Sequence, residues 1–368
     1  IQYTNPAGYP PLEHSSRILA NEGWQVLFLG TGAKGADNLT FPPHENITVY
    51  KIPFCEAGWR QKLHYFRYCF WVLIWVIRWQ PTWIYASDIL VCPIAYLLTF
   101  LPHSQVIYHE HDSPTCTPNT FFLRLCLKTR AKLANNAKFS ILPNEERAKK
   151  FTIETNTDKQ VFCVWNCPRL EEASLITISI EKQNKELWLL YHGSIVTERI
   201  PLTVIQALVR LPEMLKLRII GYQTVGSTGY INKLQELAHD LNISHRLEIK
   251  SSMPRHELWE WCRKSDIGLA LMPIISDDIN LVSMVGASNK PFDYLACGLP
   301  LIVSDLPDWQ KMYVDSGYGL ACNPDDVDSI VKVLTWYWEN QEEMRAMGER
   351  GRQKILDEWN YETQFRII

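Results

Sequence analysis

The sequence predicts an α/β protein made of two doubly wound domains that face a cleft, and three observations lead to that prediction. The chain has 368 residues, which corresponds to two domains at about 150 residues each. Short apolar runs alternate with helical patterns, as is typical of a parallel sheet covered on both faces. The alternation is interrupted by a polar stretch at 168–186 and then begins again.

Each half contains its own series of strands and helices. In the first half, apolar runs bounded by turn residues predict strands at the first few residues, 24–29, 47–52, 82–86, 105–109 and 139–142. Helical periodicity predicts helices at 11–22, 60–79, 90–100, 119–137 and 144–150. In the second half the predicted strands are 187–192, 216–221, 246–250, 266–271 and 300–303. The predicted helices are 201–211, 230–240, 255–264, 290–297, 307–316 and 325–356.

Composition excludes several classes of protein. The formal net charge is −3, from 37 basic and 40 acidic residues, so we expect no nucleic-acid partner. The ten cysteines include no Cys-x-x-Cys pair and no zinc-ligand spacing, which predicts reduced thiols in the cytoplasm. We find no pattern that predicts a metal site.

Aromatic residues are concentrated in one segment. Five of the 14 tryptophans lie between Trp59 and Trp83. The apolar core of 66–79 is too short to cross a bilayer, which takes about 20 residues. Two interpretations remain open: a buried helix, or an interfacial helix with arginine and lysine beside its tryptophans. The region 121–150 carries eight basic residues against two acidic ones, which indicates either a solvated face or a second basic surface.

A candidate phosphate loop follows the strand at 187–192. The strand ends in Gly193-Ser194, Arg199 follows, and Pro201 is placed to open a helix. Backbone N–H groups and the helix dipole at such a turn favour an anion. Gly-Ser alone is weak support, because many strand-to-helix turns contain it.

The segment around Lys290 is the most specific in the chain. Lys290 and Asp293 lie three residues apart, on one face of a short helix that Gly298 ends. This arrangement suits a ribosyl diphosphate, with the carboxylate on hydroxyls and the ammonium on phosphate. On spacing alone, however, an ordinary surface ion pair is the favoured interpretation.

In the first half, His109-Glu110-His111-Asp112 follows a strand. Four polar or titratable groups in a row at a strand end are unusual for a plain turn. They indicate a ligand site or, alternatively, a hydrogen-bonded loop histidine.

Taken together, the Gly193–Arg199 loop and the Lys290–Pro300 helix resemble the retaining, GT-B-fold glycosyltransferases of family 4 (group 1). The resemblance extends over 187–356 and is looser in the N-terminal half. It implies transfer of a sugar from a nucleotide diphosphate sugar of UDP or GDP type to an acceptor, with retention of anomeric configuration. The implied domains are an acceptor domain at 1–170 and a donor domain at 171–356, with 357–368 returning to the N-terminal domain.

The resemblance also implies roles for donor-site residues. Gly193 and Ser194 would contact the diphosphate through their backbone, with Arg199 and Lys290 as its cations. Asp293 stands where the family has the second Glu of its Glu-x7-Glu signature, which binds the ribose. The loop that lies against the nucleobase would contain Ser252, Met253 and Pro254.

Other implied roles belong to the acceptor domain, and two departures stand out in the donor domain. His111 would touch the donor sugar or the acceptor. Further acceptor or cleft residues would be Gly8, Tyr9, Glu13 and Asp112. Val285 replaces the first Glu of the signature, which contacts the donor sugar in relatives, and Ser194 replaces a frequent Arg.

The resulting expectation is a metal-independent glycosyltransferase without a cofactor, acting in cell-envelope or exopolysaccharide assembly. Its acceptor would be a glycan or a lipid-linked molecule. Peripheral membrane contact through 60–79 and 121–150 would place it in the cytoplasm at the inner face of the membrane. Two alternatives remain open: a GT-B-fold nucleotide-sugar epimerase, and a non-catalytic protein that binds a nucleotide sugar.

Overall fold

A computed structural model describes residues 1–33, 39–56, 58–114, 120–174 and 186–368. The chain divides into two compact units. Unit 1 contains Ile1–Asn166 and Gln364–Ile368, and unit 2 contains Cys167–Thr363. The units divide at Asn166/Cys167, whereas the domains that the resemblance implies divide at 170/171.

Unit 1 contains parallel strands only, among the residues described. The strands are β1 (Val26–Thr31), β2 (Ile47–Ile52), β3 (Trp83–Ser87), β4 (Gln105–His109), β5 (Phe139–Leu142) and β6 (Val161–Cys163). They form a pair, β1-β2, and a sheet in the order β3-β4-β5-β6. Gln2 joins the two groups, because its N–H donates to the Leu29 carbonyl at 3.1 Å and it bridges Ser87 in parallel. With the N-terminal segment counted as the first strand, the order is 3-2-1-4-5-6-7, as in doubly wound folds.

The helices of unit 1 lie in the connections between the end of one strand and the start of the next. They are α1 (Pro10–Asn21), α2 (Trp59–Trp79), α3 (Cys92–Leu98), α4 (Phe121–Asn136) and α5 (Glu145–Thr155). One apolar cluster joins α2, α3 and α4 to the strands, and Tyr68, Val72 and Leu133 are fully buried in it. The sheet and its helices share this core.

Unit 2 has the Rossmann strand order. Its strands are β7 (Leu187–Ser194), β8 (Leu215–Tyr222), β9 (Leu247–Ser251), β10 (Ile267–Ala270), β11 (Leu301–Ser304) and β12 (Gly319–Cys322). All pairings are parallel and the order is β9-β8-β7-β10-β11-β12. Counted from β7 this is 3-2-1-4-5-6, and ligands of such sheets bind where the strand order reverses. That point is the carboxyl end of β7, next to β10.

The helices of unit 2 complete the doubly wound arrangement. They are α6 (Leu170–Ser174), α7 (Leu202–Val209), α8 (Tyr230–Asp240), α9 (Arg255–Arg263), α10 (Ile279–Val282), α11 (Asn289–Ala296), α12 (Pro307–Trp309), α13 (Val327–Glu339), α14 (Gln341–Asp357) and α15 (Tyr361–Phe365). The chain returns to unit 1 within α15, after Thr363. Two doubly wound sheets confirm the α/β class.

Several elements differ from the sequence prediction. Strands β6 and β12 and the short helices α6, α10 and α15 were not predicted. The helix predicted at 325–356 is two helices: Asn340, at φ −121° and ψ 52°, ends α13 and begins α14. The helix predicted at 307–316 is the single turn α12 followed by a wider turn through Val314. Most of the expected linker, 175–185, lies outside the described residues.

Helix α2 has two apolar faces. Tyr65, Tyr68, Val72 and Val76 are buried. The opposite face is an exposed stripe made of Trp59, Leu63, Phe66, Phe70 and Ile77, each 60–71% exposed. The interpretation of this segment as a buried helix therefore holds for the face that packs on unit 1, and it is wrong for the exposed face. No helix among the described residues has the length and hydropathy needed to span a membrane.

Candidate functional site

The strand-order reversal of unit 2 brings Gly193, Ser194 and Arg199 together. Gly193, the last residue but one of β7, has φ 118°, a conformation that residues with side chains rarely adopt. The Arg199 guanidinium donates from Nη1 to the Ser194 hydroxyl at 2.9 Å. The loop therefore carries a fixed positive charge at the carboxyl end of the central strand.

Close packing fixes helix α11 beside this loop. A Cβ on Gly268 of β10 would lie 2.3 Å from the Tyr294 ring, so only glycine lets α11 approach so near. The Tyr294 hydroxyl accepts the His192 N–H at 3.0 Å, which ties α11 to β7. Both Lys290 and Asp293 are carried on this helix, and they are 5% and 1% exposed.

Lys290 extends from α11 towards the end of β7. A Cβ on Gly193 would lie 3.3 Å from the Lys290 Nζ. Burial, and then the charge of Arg199, lower the pKa of Lys290 well below its usual range. The structure thus groups Gly193, Ser194, Arg199 and Lys290 in one place, and their roles stay predictions.

Arg255, which the motif analysis did not single out, holds Asp293. Its guanidinium donates to the two Asp293 carboxylate oxygens at 2.8 and 3.1 Å, and to Glu172 at 2.7 Å. It also stacks on the Trp259 ring at 4.6 Å. The only sequence signal was an arginine at the first position of a helix, directly after Pro254.

His192 lies next to the same carboxylate. Its Nε2 is 3.6 Å from the Asp293 carboxylate, beyond hydrogen-bond distance. Burial, then Lys290 and Arg255, lower the pKa of His192 well below its usual range, so the ring is neutral. Because the imidazole is neutral, the charged groups of this site are Lys290, the two arginines Arg199 and Arg255, and the carboxylates of Asp293 and Glu172.

The predicted nucleobase loop follows β9. Ser252 and Pro254 are exposed and Met253 is half-buried. Arg255 directly follows this loop and contacts Asp293, so the loop begins at the same edge of the sheet as the donor helix. Contact with a base stays a prediction.

In unit 1 the corresponding edge of the sheet gathers aromatic and imidazole rings. The His111 ring centroid lies 3.9 Å from that of His109 and 5.6 Å from that of Tyr9. His111 is 6% exposed, and neither ring nitrogen has a hydrogen-bond partner among the described residues. Burial lowers the pKa of His111 to about 4, so it is neutral at physiological pH. The Tyr85 hydroxyl lies 2.5 Å from the His109 Nδ1.

Asp88 fixes the His111 loop and was not predicted. Its carboxylate accepts the His111 N–H and the Gln2 amide, each at 3.0 Å. Burial raises the pKa of Asp88 to about 6. Asp88 has φ 68° and ψ 168°, a strained conformation for a residue with a side chain, of the kind found at functional sites.

The remaining predicted residues of unit 1 are dispersed. Gly8 is exposed and ends a single turn before α1. Glu13 accepts from Arg17 at 3.2 Å on the same helix. Asp112 is 75% exposed, whereas Glu110 is buried in an ion pair with Arg130. Of these four adjacent residues, His109 and His111 therefore have their rings in contact, Glu110 is buried in the core and Asp112 faces solvent.

GT-B glycosyltransferases have this fold of two Rossmann-like domains. Their second domain corresponds to unit 2, in which a basic loop follows the strand at which the strand order reverses. Residues 173–354, in the C-terminal half of the chain, match the family model described as "Glycosyl transferases group 1". Over 140 residues the chain is 25% identical to the GDP-mannose-dependent alpha-(1-6)-phosphatidylinositol monomannoside mannosyltransferase of Mycolicibacterium smegmatis. That stretch is 38% of this chain and spans 36% of the relative, about a third of its length.

Solved structures share the fold along the whole chain. Anabaena HepE, in complex with UDP and glucose, is similar with a TM-score of 0.71 at 14% identity, covering 100% of this chain and 97% of that one. WaaG, a glycosyltransferase of lipopolysaccharide biosynthesis, is similar with a TM-score of 0.65 at 13% identity, covering 100% and 96%. These similarities confirm the GT-B prediction.

Proposed function

We propose that this protein is a retaining glycosyltransferase that moves a sugar from a UDP- or GDP-type nucleotide sugar to an acceptor without a metal ion. One observation carries the proposal: the buried Lys290 ammonium lies against Gly193 beside Arg199, at the strand-order reversal of unit 2. Doubly wound sheets bind ligands at this position. The group 1 domain over 173–354 supports the same assignment.

The proposed chemistry asks for stabilisation of the leaving diphosphate. As the sugar–oxygen bond breaks, negative charge grows on the phosphate oxygens. Arg199, Lys290 and the N–H groups that follow β7 would bind that charge, and preorganised donors of this kind lower such barriers. Two fixed cations then do the work for which other enzymes use a divalent ion.

The remaining donor contacts follow from the same placement. Asp293 would accept from the ribose hydroxyls, and the loop Ser252–Pro254 would lie along the base. The names of the relatives support both donor types, since one uses GDP-mannose and another was solved with UDP and glucose. The neutral His111 suits a sugar hydroxyl, because an imidazole offers one donor and one acceptor.

Binding measurements with nucleotides test this proposal. We expect UDP or GDP to stabilise the protein in thermal-shift titrations, since a ligand at 100 times its Kd adds about 2.7 kcal/mol. ADP serves as the comparison. Slow hydrolysis of the matching nucleotide sugar, unchanged by EDTA, would support metal-independent transfer, and NMR of the released or transferred sugar would report the anomeric configuration. No stabilisation by any of the three nucleotides would reject the proposal.

A non-catalytic nucleotide-sugar-binding protein is the second candidate. Val285 stands where the family has the Glu that contacts the donor sugar. Nucleotide binding without hydrolysis or transfer would favour this candidate over an enzyme.

We further propose that the acceptor is lipid-linked and that unit 1 rests on the inner face of a membrane during cell-envelope or exopolysaccharide assembly. The exposed stripe of α2 has basic residues on both sides, and the helix contains no acidic residue. Helix α4 contacts α2 through Phe122, whose ring centroid is 4.7 Å from that of Tyr65, and it adds an 83% exposed Phe121 and the exposed Arg124 and Lys128. Apolar stripes flanked by cations bind anionic lipid interfaces.

The basic region 121–150 contributes less than its sequence suggests. Arg130 and Arg147 are buried and pair inside unit 1, so they offer no charge to a membrane. The relatives named for a phosphatidylinositol mannoside and for lipopolysaccharide support a lipid-linked acceptor. The nine described cysteines are free thiols, which suits a cytoplasmic location. Co-sedimentation with vesicles containing phosphatidylglycerol tests membrane contact; no binding at low salt would reject it.

A further inference from the structure

Lys290 carries a buried amino group that forms no close ion pair with any described residue. It is 5% exposed and makes no hydrogen bond or ion pair within the described parts of the chain. Its neighbours are the Gly193 backbone, the Tyr191 ring, 5.7 Å from the Nζ, and the positive Arg199; Asp293 attracts it more weakly than burial and Arg199 oppose its charge. Burial disfavours the charged form of such an amine until an anion pairs with it, so Lys290 is a preformed position for an anion.

A carboxylate stands close by on the same helix. Asp293 follows Lys290 by three residues, and an ammonium and a carboxylate at that spacing normally pair. Such a pair would neutralise the charge that a phosphate needs. In the structure the Asp293 carboxylate is instead held by Arg255, with its two oxygens at 2.8 and 3.1 Å from the guanidinium.

Arg255 is itself held in place from three sides. Glu172 accepts its Nε–H at 2.7 Å, Trp259 lies under its guanidinium, and Asp293 occupies the outer edge. The side chain is 18% exposed. A planar guanidinium binds a carboxylate through two parallel hydrogen bonds, which an ammonium cannot do. Arg255 therefore has the geometric advantage over Lys290 for this carboxylate.

We propose that Arg255 is a positioning residue that keeps the Asp293 carboxylate paired away from Lys290, so that the Lys290 ammonium remains free to bind the diphosphate of the donor. This inference rests on the proposed function for the identity of the ligand. It assigns a separate task to a residue that lies outside the phosphate loop.

Inorganic pyrophosphate is the probe that tests it, because pyrophosphate has no ribose and does not report on Asp293 as a hydroxyl ligand. Calorimetric titration of the full chain compares wild type with four variants: Arg255→Gln, Arg255→Lys, Asp293→Asn and Arg255→Gln/Asp293→Asn. Arg255→Gln leaves Asp293 beside Lys290, and we expect about tenfold weaker binding. Arg255→Lys keeps a charge without the two-bond geometry and should lie between.

The double variant separates positioning from general structural damage. Replacing Asp293 by Asn removes the carboxylate that would neutralise Lys290, so Arg255→Gln/Asp293→Asn should recover most of the lost affinity. Arg263→Gln is the matched control: it removes an exposed guanidinium from the same helix, α9, and should change affinity by less than about threefold. Melting temperatures monitor folding of each variant.

Three results would overturn the inference. They are unchanged pyrophosphate affinity in Arg255→Gln, a loss that the added Asp293→Asn does not reverse, and no pyrophosphate binding to wild type. Titration of wild type with UDP and GDP keeps the two proposals distinguishable. If a nucleotide binds and Arg255→Gln has no effect, the positioning role fails while the proposed function stands. If neither nucleotide binds, the proposed function fails as well.

Discussion

Two buried arginine–carboxylate pairs occupy similar places in the two units and have different surroundings. In unit 1, Arg130 binds both oxygens of Glu110, at 2.5 and 2.7 Å, directly after β4. In unit 2, Arg255 binds both oxygens of Asp293 on α11. The side chains of the first pair are 4% and 0% exposed, and those of the second 18% and 1%.

The difference lies in what remains unpaired nearby. Glu110 also accepts the Tyr108 hydroxyl at 2.8 Å, and Arg130 lies 4.7 Å from the Phe151 ring centroid. That pair belongs to a closed core. The pair in unit 2 has the unpaired Lys290 and the neutral His192 beside it. A buried ion pair alone therefore indicates little about function, and the unsatisfied cation next to it is the more informative feature.

The largest expected effect tests the structural half of this comparison. Glu110→Gln leaves the buried Arg130 charge with the half-exposed Glu154, 3.0 Å away, as its remaining carboxylate, which should lower the free energy of unfolding by about 3 kcal/mol. Chemical denaturation at neutral pH measures it. Glu146→Gln is the control, because its ion pair with Lys149 is exposed and should be worth about 0–1 kcal/mol. A variant of normal stability without activity would show that Glu110 belongs to the site.

The functional half is tested by Lys290→Met. Removing one preorganised cation from the leaving diphosphate should lower the rate of sugar transfer or donor hydrolysis by about 100- to 1000-fold. Stability should be unchanged or higher, because an unpaired buried charge opposes folding. Lys233→Met, at an exposed lysine of α8, is the control for activity and melting temperature. A stability loss with unchanged donor hydrolysis would contradict this assignment.

Much of unit 2 could be predicted from the sequence because its signals are local. A strand that ends in Gly193-Ser194, a proline that opens the next helix and a glycine that ends α11 each act within a few residues. The spacing of Lys290 and Asp293 gave their shared helix face correctly. The same spacing also allowed an ordinary surface ion pair between them, but both side chains are buried and the Asp293 carboxylate is hydrogen-bonded by Arg255. The true partner, Arg255, is 38 residues away in sequence.

Unit 1 shows the limit of local signals more clearly. His109, Glu110 and His111 look alike as a run of polar residues, but alternation along a strand sends neighbours to opposite faces. Which face meets Arg130 and which meets Tyr9 is decided by the packing of α1 and α4. Asp88 gave no signal either, because its importance lies in a strained backbone and a contact with the His111 amide.

A third prediction sharpens the contrast between a charged site in unit 2 and a neutral one in unit 1. Burial lowers the pKa of His111 to about 4, from 6.5. Between these values the unfolded chain binds the proton and the folded protein does not. The neutral His111 therefore makes its full contribution to the free energy of unfolding above about pH 6.5. As the pH falls to about 4, about 2–3 kcal/mol of that contribution is lost.

Unfolding of His111→Asn between pH 4 and 7 measures this effect. The variant should lose less stability than wild type over that range, although His109 and His192 keep part of the dependence. His239→Gln, at a histidine 85% exposed, should retain the wild-type dependence. Identical pH dependence in His111→Asn and wild type would refute a neutral, buried His111.

The smallest expected effect concerns the exposed stripe of α2, which has no counterpart in the charged site of unit 2. The double variant Phe66→Ser/Phe70→Ser removes two rings that are 71% and 65% exposed and that would contact lipid. Binding to phosphatidylglycerol vesicles should weaken by about tenfold, or about 1.4 kcal/mol. Because both side chains are exposed, stability should change by less than about 0.5 kcal/mol.

The control is Ile153→Ser, which removes an apolar side chain that is 79% exposed on α5. Equal vesicle binding by the double variant and the control would remove α2 from the membrane-contact surface, while donor hydrolysis by unit 2 should be the same in both.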